Sequence, residues 1–259
     1  MASDCLTADG RKGDLLVYME RLNMHRFAEV MKDGTVKTAL IPIGMTEAHG
    51  EHCALGTDFL IPREFVRRLD EAVGDKVMMT PEIPFGHSWS LAPFPGTLDI
   101  PGRVFADYVS AVGEQLVQQG FHYIVLFNGH GGNMPALSFV SEHLADVGAT
   151  VLSINWWMDY RDLIIPIAPD FGHAGEDETS CVMAIDESLV DLTYAHRHMD
   201  SVSRKLRFAG METFNYPNAN NGDATKATAE KGRAIYEALV PAMLKDLEDM
   251  WNHPPRSNA

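Results

Sequence analysis

Tyr123, Ile124, Val125, Leu126 and Phe127 are apolar at five successive positions. A strand with one face in water alternates apolar and polar side chains, so a strand apolar throughout has to be covered on both faces. The same signature occurs in Ala39-Leu40-Ile41-Pro42-Ile43 within 37–44 and in Val77-Met78-Met79, and a further strand is expected over 150–155. Between these runs the spacing turns helical. Over 104–120, Val104, Phe105, Tyr108, Val109, Val112, Leu116 and Val117 share one side, and Gly120 stands as the stop. Ile61, Phe65, Leu69 and Val73 are four apart, with Pro62 suited to a first turn. Further helices are expected over 22–31, over 134–147, from Glu178 onward after a long loop, and over 226–251. Buried strands alternating with helices predict an α/β fold, a three-layer sandwich with a mostly parallel central sheet and helices on both faces. No linker, repeat or low-complexity stretch divides the chain. One domain over 1–259 is expected, with 1–16 and 252–259 mobile.

In such a fold the polar, glycine-rich segments after strands gather at the carboxyl edge of the sheet, where ligands bind. The stretch GMTEAHGEHCALGTDF follows the first strand and holds Glu47, His49, Glu51, His52, Cys53 and Asp58. Glu47 and His49 are two apart, so an extended backbone points both to one side. His130 sits among glycines in NGHGGN, where backbone can approach an occupant closely. A fourth cluster, HAGEDE, spans His173 to Glu178. Carboxylates mixed with imidazoles, without a thiolate cluster, suit zinc or manganese. One Glu, two His and one Asp exceed a single open tetrahedral site and suit two ions bridged by a carboxylate, Asp58, with a hydroxide between them. Residue spacing alone leaves the alternative of solvated loops and backbone caps open.

Charge narrows the partners. The formal net charge is −15, with 36 acidic against 21 basic residues, which argues against nucleic acid or an anionic membrane surface. No apolar stretch approaches the roughly 18 residues of a spanning helix, and the first residues show no basic-then-apolar signal pattern. Cys5, Cys53 and Cys181 are too scattered for a disulfide framework, so a reducing, cytoplasmic setting is expected.

Five segments, IPIGMTEAHGEHCALGTD, FPGT, FNGHGGN, HAGEDETS and GDATKATAEKG, run in this order over roughly residues 41 to 232. Together they resemble the creatininase (creatinine amidohydrolase) family. The resemblance implies a two-metal hydrolase, usually a homohexamer, acting on a small molecule. It implies that Glu47, Asp58 and His130 hold one ion, that His49 and the shared Asp58 hold the other, and that His173 moves a proton to the leaving nitrogen. Creatininase carries a glutamate two residues after the histidine matching His130, and here that place is Gly132. Glu178 is expected to complete the second metal site instead. Relatives often have a histidine before FPGT where Leu91 stands, and creatininase has a tryptophan after the strand at 150–155, a role open to Trp156 or Trp157. Ser88, Trp89, Gly131 and Trp157 are expected to line the substrate pocket.

The reaction this implies is hydrolysis of a C–N amide bond, in a cyclic amide, by metal-activated water. The family offers alternatives: a C–C bond of a cyclic ketone, an N-formyl group, a peptide, or binding without turnover. Arg63, Arg67 and Arg68 are expected away from the pocket, which counts against a phosphate-bearing substrate. Cys53 reads as a small buried apolar residue, Glu51 and His52 as solvated or supporting, and Glu176 with Asp177 as a charge pair at a helix start.

Overall fold

The computed structural model describes residues 18–255 apart from 33, 74–75, 201 and 203–205. Of the segments expected to be mobile, 1–16 and 252–259, the first and residues 256–259 of the second lie outside the described residues. The elements run α1 (Met24–Lys32), β1 (Thr38–Ile43), α2 (Thr57–Val73), β2 (Val77–Met79), α3 (Gly102–Gln118), β3 (Tyr123–Asn128), α4 (Met134–Asp146), β4 (Thr150–Asn155), α5 (Trp156–Asp159), α6 (Arg161–Ile164), α7 (Glu176–Ile185), β5 (Arg197–His198), α8 (Glu212–Asn215), β6 (Gly222–Asp223) and α9 (Ala229–Trp251). The four main strands form one parallel sheet in the order β2-β1-β3-β4, with Thr38 opposite Tyr123 and Tyr123 opposite Thr150. A separate antiparallel pair joins β5 to β6.

Strands β1, β2 and β3 are buried at every position, as unbroken apolar runs require, whereas the edge strand β4 is only partly covered. Two apolar layers flank the sheet. On one face Phe105 and Val109 of α3 and Val140 and Leu144 of α4 pack on Ala39, Ile41, Ile124 and Leu126. On the other, Phe65 of α2 and Tyr236 of α9 pack on Leu40, Val125 and Phe127. The Phe65 ring meets Phe127, Trp156 and Tyr236 at centroid distances of 5.8, 5.9 and 4.6 Å. Each such fully buried side chain contributes about 1.5–3 kcal/mol, which fixes the rotation of α2 and therefore where its first turn points.

Local chemistry shifts several element boundaries from the sequence reading. Helix α2 starts at Thr57, so Pro62 lies inside it and not in the first turn. A proline there cannot donate to the carbonyl four residues back, which frees the Asp58 carbonyl. The Gly129 backbone fills that place: a Cβ on Gly129 would lie 1.9 Å from the Asp58 carbonyl oxygen. Helix α7 begins at Glu176, two residues earlier than expected, because Asp170 N–H and Gly172 N–H donate to the Glu176 and Asp177 carboxylates and shape the turn before it. Helix α9 begins at Ala229, later than expected, where the Thr228 hydroxyl accepts the Lys231 N–H as an N-cap. The expected long loop before His173 contains the short helices α5 and α6.

Pro42 tolerates a central strand because β2 ends at Met79 opposite Leu40. Beyond that point the Pro42 carbonyl accepts the Ile83 N–H, and no ladder donor is required from its nitrogen.

Candidate metal centre

Four segments converge at the carboxyl ends of β1 and β3. The chain leaving β1 brings Glu47 and His49; the first turn of α2 brings Asp58; the turn after β3 brings His130; and the turn into α7 brings His173 and Glu178. Glu47, His49, Asp58, His130 and Glu178 are all buried. Asp58 and Glu178 sit in helix first turns, where the N–H groups and helix dipole favour negative charge.

Asp58 is the hinge of the arrangement. Its Oδ1 lies 2.9 Å from His49 Nε2, and its Oδ2 lies 2.9 Å from His130 Nδ1. Glu47 Oε1 lies 3.2 Å from His130 Nδ1, and Glu178 Oε2 lies 3.6 Å from His49 Nε2. Two ligand sets result, Glu47/Asp58/His130 and His49/Asp58/Glu178, each with its atoms within 4.8 Å of one another; Glu47, His49 and His173 make a third group. The other nitrogen of each histidine is turned to a backbone carbonyl: His49 Nδ1 to Glu47 O at 3.2 Å and His130 Nε2 to His87 O at 2.9 Å. A carbonyl only accepts, so those nitrogens carry protons, and the nitrogens left to bind a metal are the ones that face the carboxylates.

The site's electrostatics are those of a cation pocket holding protons. Burial alone depresses the His49 imidazole, but Asp58, Glu178 and Glu47 overcome it and raise it to about 10. His130 follows the same balance, burial opposed by Glu47 and Asp58, and ends well above the usual imidazole range. Burial pushes Asp58 up, yet the two imidazoles hold it below the ordinary carboxylate range. Glu178 is raised well above that range by burial, with Asp58 and Asp177 adding to it. Glu47 Oε1, Glu47 Oε2 and Asp58 Oδ2 are buried without hydrogen bonds, the neighbouring imidazoles lying close but off-axis. Anionic oxygens buried without donors are unfavourable unless a cation meets them, so this donor set fits divalent ions.

His173 stands beside the cluster. Its ring is 4.4 Å from that of His49 and edge-on to Tyr216 at 5.4 Å. Nε2 donates to Ala48 O at 2.9 Å, which leaves Nδ1 unprotonated, 3.6 Å from Glu47 Oε1. Burial, with the charges of His49 and His130, lowers its pKa well below the usual imidazole value, so the ring is neutral near pH 7.

Of the expected pocket residues, Gly131 and Trp157 are neighbours, a Cβ on Gly131 lying 3.8 Å from the Trp157 ring. Trp156 is fully buried in the core, whereas Trp157 is only partly buried. Ser88 is buried with its N–H on Asp99 Oδ1 at 2.7 Å, and Trp89 beside it is 46% exposed. Leu91 is buried against Ala48 and Ala219 with Phe94 and Tyr216, an apolar patch. Of the two readings for His52, solvated or supporting, its burial leaves the second, with Nε2 3.0 Å from Thr179 Oγ1. Burial pushes the Cys53 thiol up to about 12, so it stays protonated and is no nucleophile. Arg63 pairs with Glu82, and Arg67 and Arg68 pair with Glu64, all away from the cluster.

Sequence reasoning missed the residues that hold the ligands. Asn128 and Asn133 bracket His130: Asn128 Oδ1 accepts the His130 N–H at 3.1 Å, and Asn133 donates to Gly44 O at 3.0 Å and accepts the His87 N–H at 2.9 Å. Two asparagines at the ends of NGHGGN were the available signal, since asparagine ties off irregular backbone.

The family model described as "Creatininase: Creatinine amidohydrolase" matches residues 20–247. The 3-dehydro-scyllo-inosose hydrolase of Thermotoga maritima is 27% identical, covering 92% of this chain and 85% of that protein. The creatinine amidohydrolase of Pseudomonas putida is 27% identical, covering 83% of this chain and 90% of that protein. Among solved structures, one titled "Creatininase Mn" superposes with a TM-score of 0.77 at 23% identity, covering 90% of this chain and 98% of its own. A creatininase variant described as "Zn-Zn type" superposes with a TM-score of 0.77 at 22% identity, covering 92% of this chain and 98% of its own.

Proposed function

The chain belongs to the creatininase family, and from that premise we propose that it is a hydrolase using two divalent cations, zinc or manganese, to open a small cyclic amide at its C–N bond. The observation that carries this reading is Asp58, whose two oxygens each face a different imidazole at 2.9 Å. Glu47, Asp58 and His130 would hold one ion; His49, Asp58 and Glu178 would hold the other. Bound cations supply Lewis acidity at the scissile carbonyl and water that ionises near neutral pH. The chain's own residues do the rest. His49 and His130 present fixed lone pairs because their second nitrogens are anchored to carbonyls. Neutral His173, with Nδ1 free to accept, takes a proton from the attacking water and returns it to the leaving nitrogen. Trp157, Gly131, Ser88 and Trp89 form the wall around the substrate. The reading takes the chain as one domain and a cytoplasmic homo-oligomer; the free thiols of Cys53 and Cys181 suit a reducing compartment.

A second reading has its own support. The match to an inosose hydrolase spans 92% of the chain, and Gly132 leaves no room for the glutamate creatininase carries there. A Cβ at Gly132 would lie 2.0 Å from His87 O. The match favours hydrolysis of a cyclic polyhydroxy ketone, by the C–C cleavage named above, and the crowding at Gly132 counts against the ligand set of creatininase.

The test strips metal with a chelator, restores zinc or manganese, and assays creatinine, cyclic amides, N-formyl compounds and cyclic diketones. Turnover of a cyclic amide that vanishes and returns with metal is the expected result. Ketone cleavage selects the second reading, and turnover indifferent to metal removes both. Glu178→Gln is expected to lower occupancy of one ion with the fold intact by circular dichroism; unchanged metal stoichiometry would exclude Glu178 as a ligand.

A further inference from the structure

The motif beginning at Gly222 carries none of the residues assigned above, yet it and the two asparagines before it run directly against the His173 turn. A Cβ on Gly222 would lie 2.5 Å from Gly175 Cα, and one on Gly172 would lie 2.0 Å from Asn221 O, so the two backbones touch. Between His173 and the helix that carries Glu178 lies Ala174, with φ of 50°, a left-handed conformation that alanine adopts only under constraint. Both sides of that residue are tied. Its N–H donates to Glu178 Oε2 at 2.7 Å. Its carbonyl accepts the Asn220 side-chain amide at 2.8 Å, and the Asn221 N–H donates to the His173 carbonyl, also at 2.8 Å.

Asn220 is 0% exposed, and its Oδ1 is buried without a partner. The amide cannot turn over, since that would set Oδ1 against the Ala174 carbonyl oxygen. A buried asparagine that leaves its acceptor unused and turns its donor to the strained Ala174 carbonyl at 2.8 Å and the His173 carbonyl at 3.5 Å is placed for that donor.

We propose that Asn220 is a positioning residue: by holding Ala174 left-handed it aims the His173 imidazole and the Glu178 carboxylate together. The inference rests on the two-metal reading. Without the Asn220 donor, Ala174 relaxes toward ordinary φ, its N–H leaves Glu178, and His173 leaves Ala48 O. The second ion then loses a preset ligand.

The test uses the full chain and zinc alone. Metal is removed, zinc is titrated in against a competing chelator, and histidine ring nitrogens are followed by NMR, with His173→Gln assigning the His173 signals. In Asn220→Ala and Asn220→Ser, affinity for the weaker of two zinc ions is expected to fall roughly 10–100-fold, as for other residues that orient metal ligands. The tighter ion stays within about twofold on the same ground, that its ligands are oriented by other groups. The His173 signal is expected to change from one tautomer, protonated at Nε2, to a mixture. A folded variant with both zinc affinities and the His173 tautomer unchanged overturns the proposal. Collapse of both variants also overturns it, since Asn220 would then be holding the fold and not the site. A wild-type chain that takes up fewer than two ions would instead defeat the two-metal reading.

Discussion

Asp58→Asn is expected to abolish turnover and to leave at most one firmly held divalent ion per chain. The substitution keeps size and shape but removes the charge common to both ligand sets. The lost cation stabilisation is worth several kcal/mol, so the rate falls by about 10³-fold or more. Glu47 lies 3.2 Å from His130 and Glu178 3.6 Å from His49, whereas Asp58 meets both imidazoles at 2.9 Å. Metal analysis after dialysis, with circular dichroism to confirm the fold, reads the result. Two retained ions in the asparagine variant would show that the bridge lies elsewhere.

Gly132→Glu is expected to damage the site and not to convert the chain into a creatininase. At this position a Cβ would fall 2.0 Å from the His87 carbonyl oxygen and 2.5 Å from His130 Nε2. The first is backbone and the second belongs to a ligand, so neither yields cheaply. The substitution pushes apart the 2.9 Å contact that aims His130. Overpacking of this kind costs about 1–3 kcal/mol, which in a chain of this size lowers the thermal midpoint by roughly 2–6 °C. Gly132→Ala is expected to show the same loss, because the clash begins at Cβ. Calorimetry and metal analysis on the pair check this. If the glutamate variant gained metal affinity or creatinine turnover while the alanine variant did not, Glu178 would be the wrong partner for His49.

The site was legible to the degree that its residues sit in short local patterns. Glu47 and His49 share a side because they are two apart, and His130 is marked by the glycines around it. Their supports were not legible. His87 acts through its carbonyl, which any residue carries, and Asn220 reaches Ala174 across 46 positions. Trp156 and Trp157 look alike in sequence, and only the helical turn of α5 sends one into the core and leaves the other beside Gly131.

The amino-acid sequence determined by itself that β1, β2 and β3 are buried strands, that α3 packs through one stripe, and that the ligand-type side chains follow strands. Those properties depend on the burial and period of neighbouring residues, which a linear pattern records. The tertiary structure alone decided that Gly132 has no room for a side chain and that Ala174 is pinned between Glu178 and Asn220. Those outcomes depend on distances of a few ångströms between segments far apart in the chain, set by how the helices seat on the sheet, and no local period encodes them.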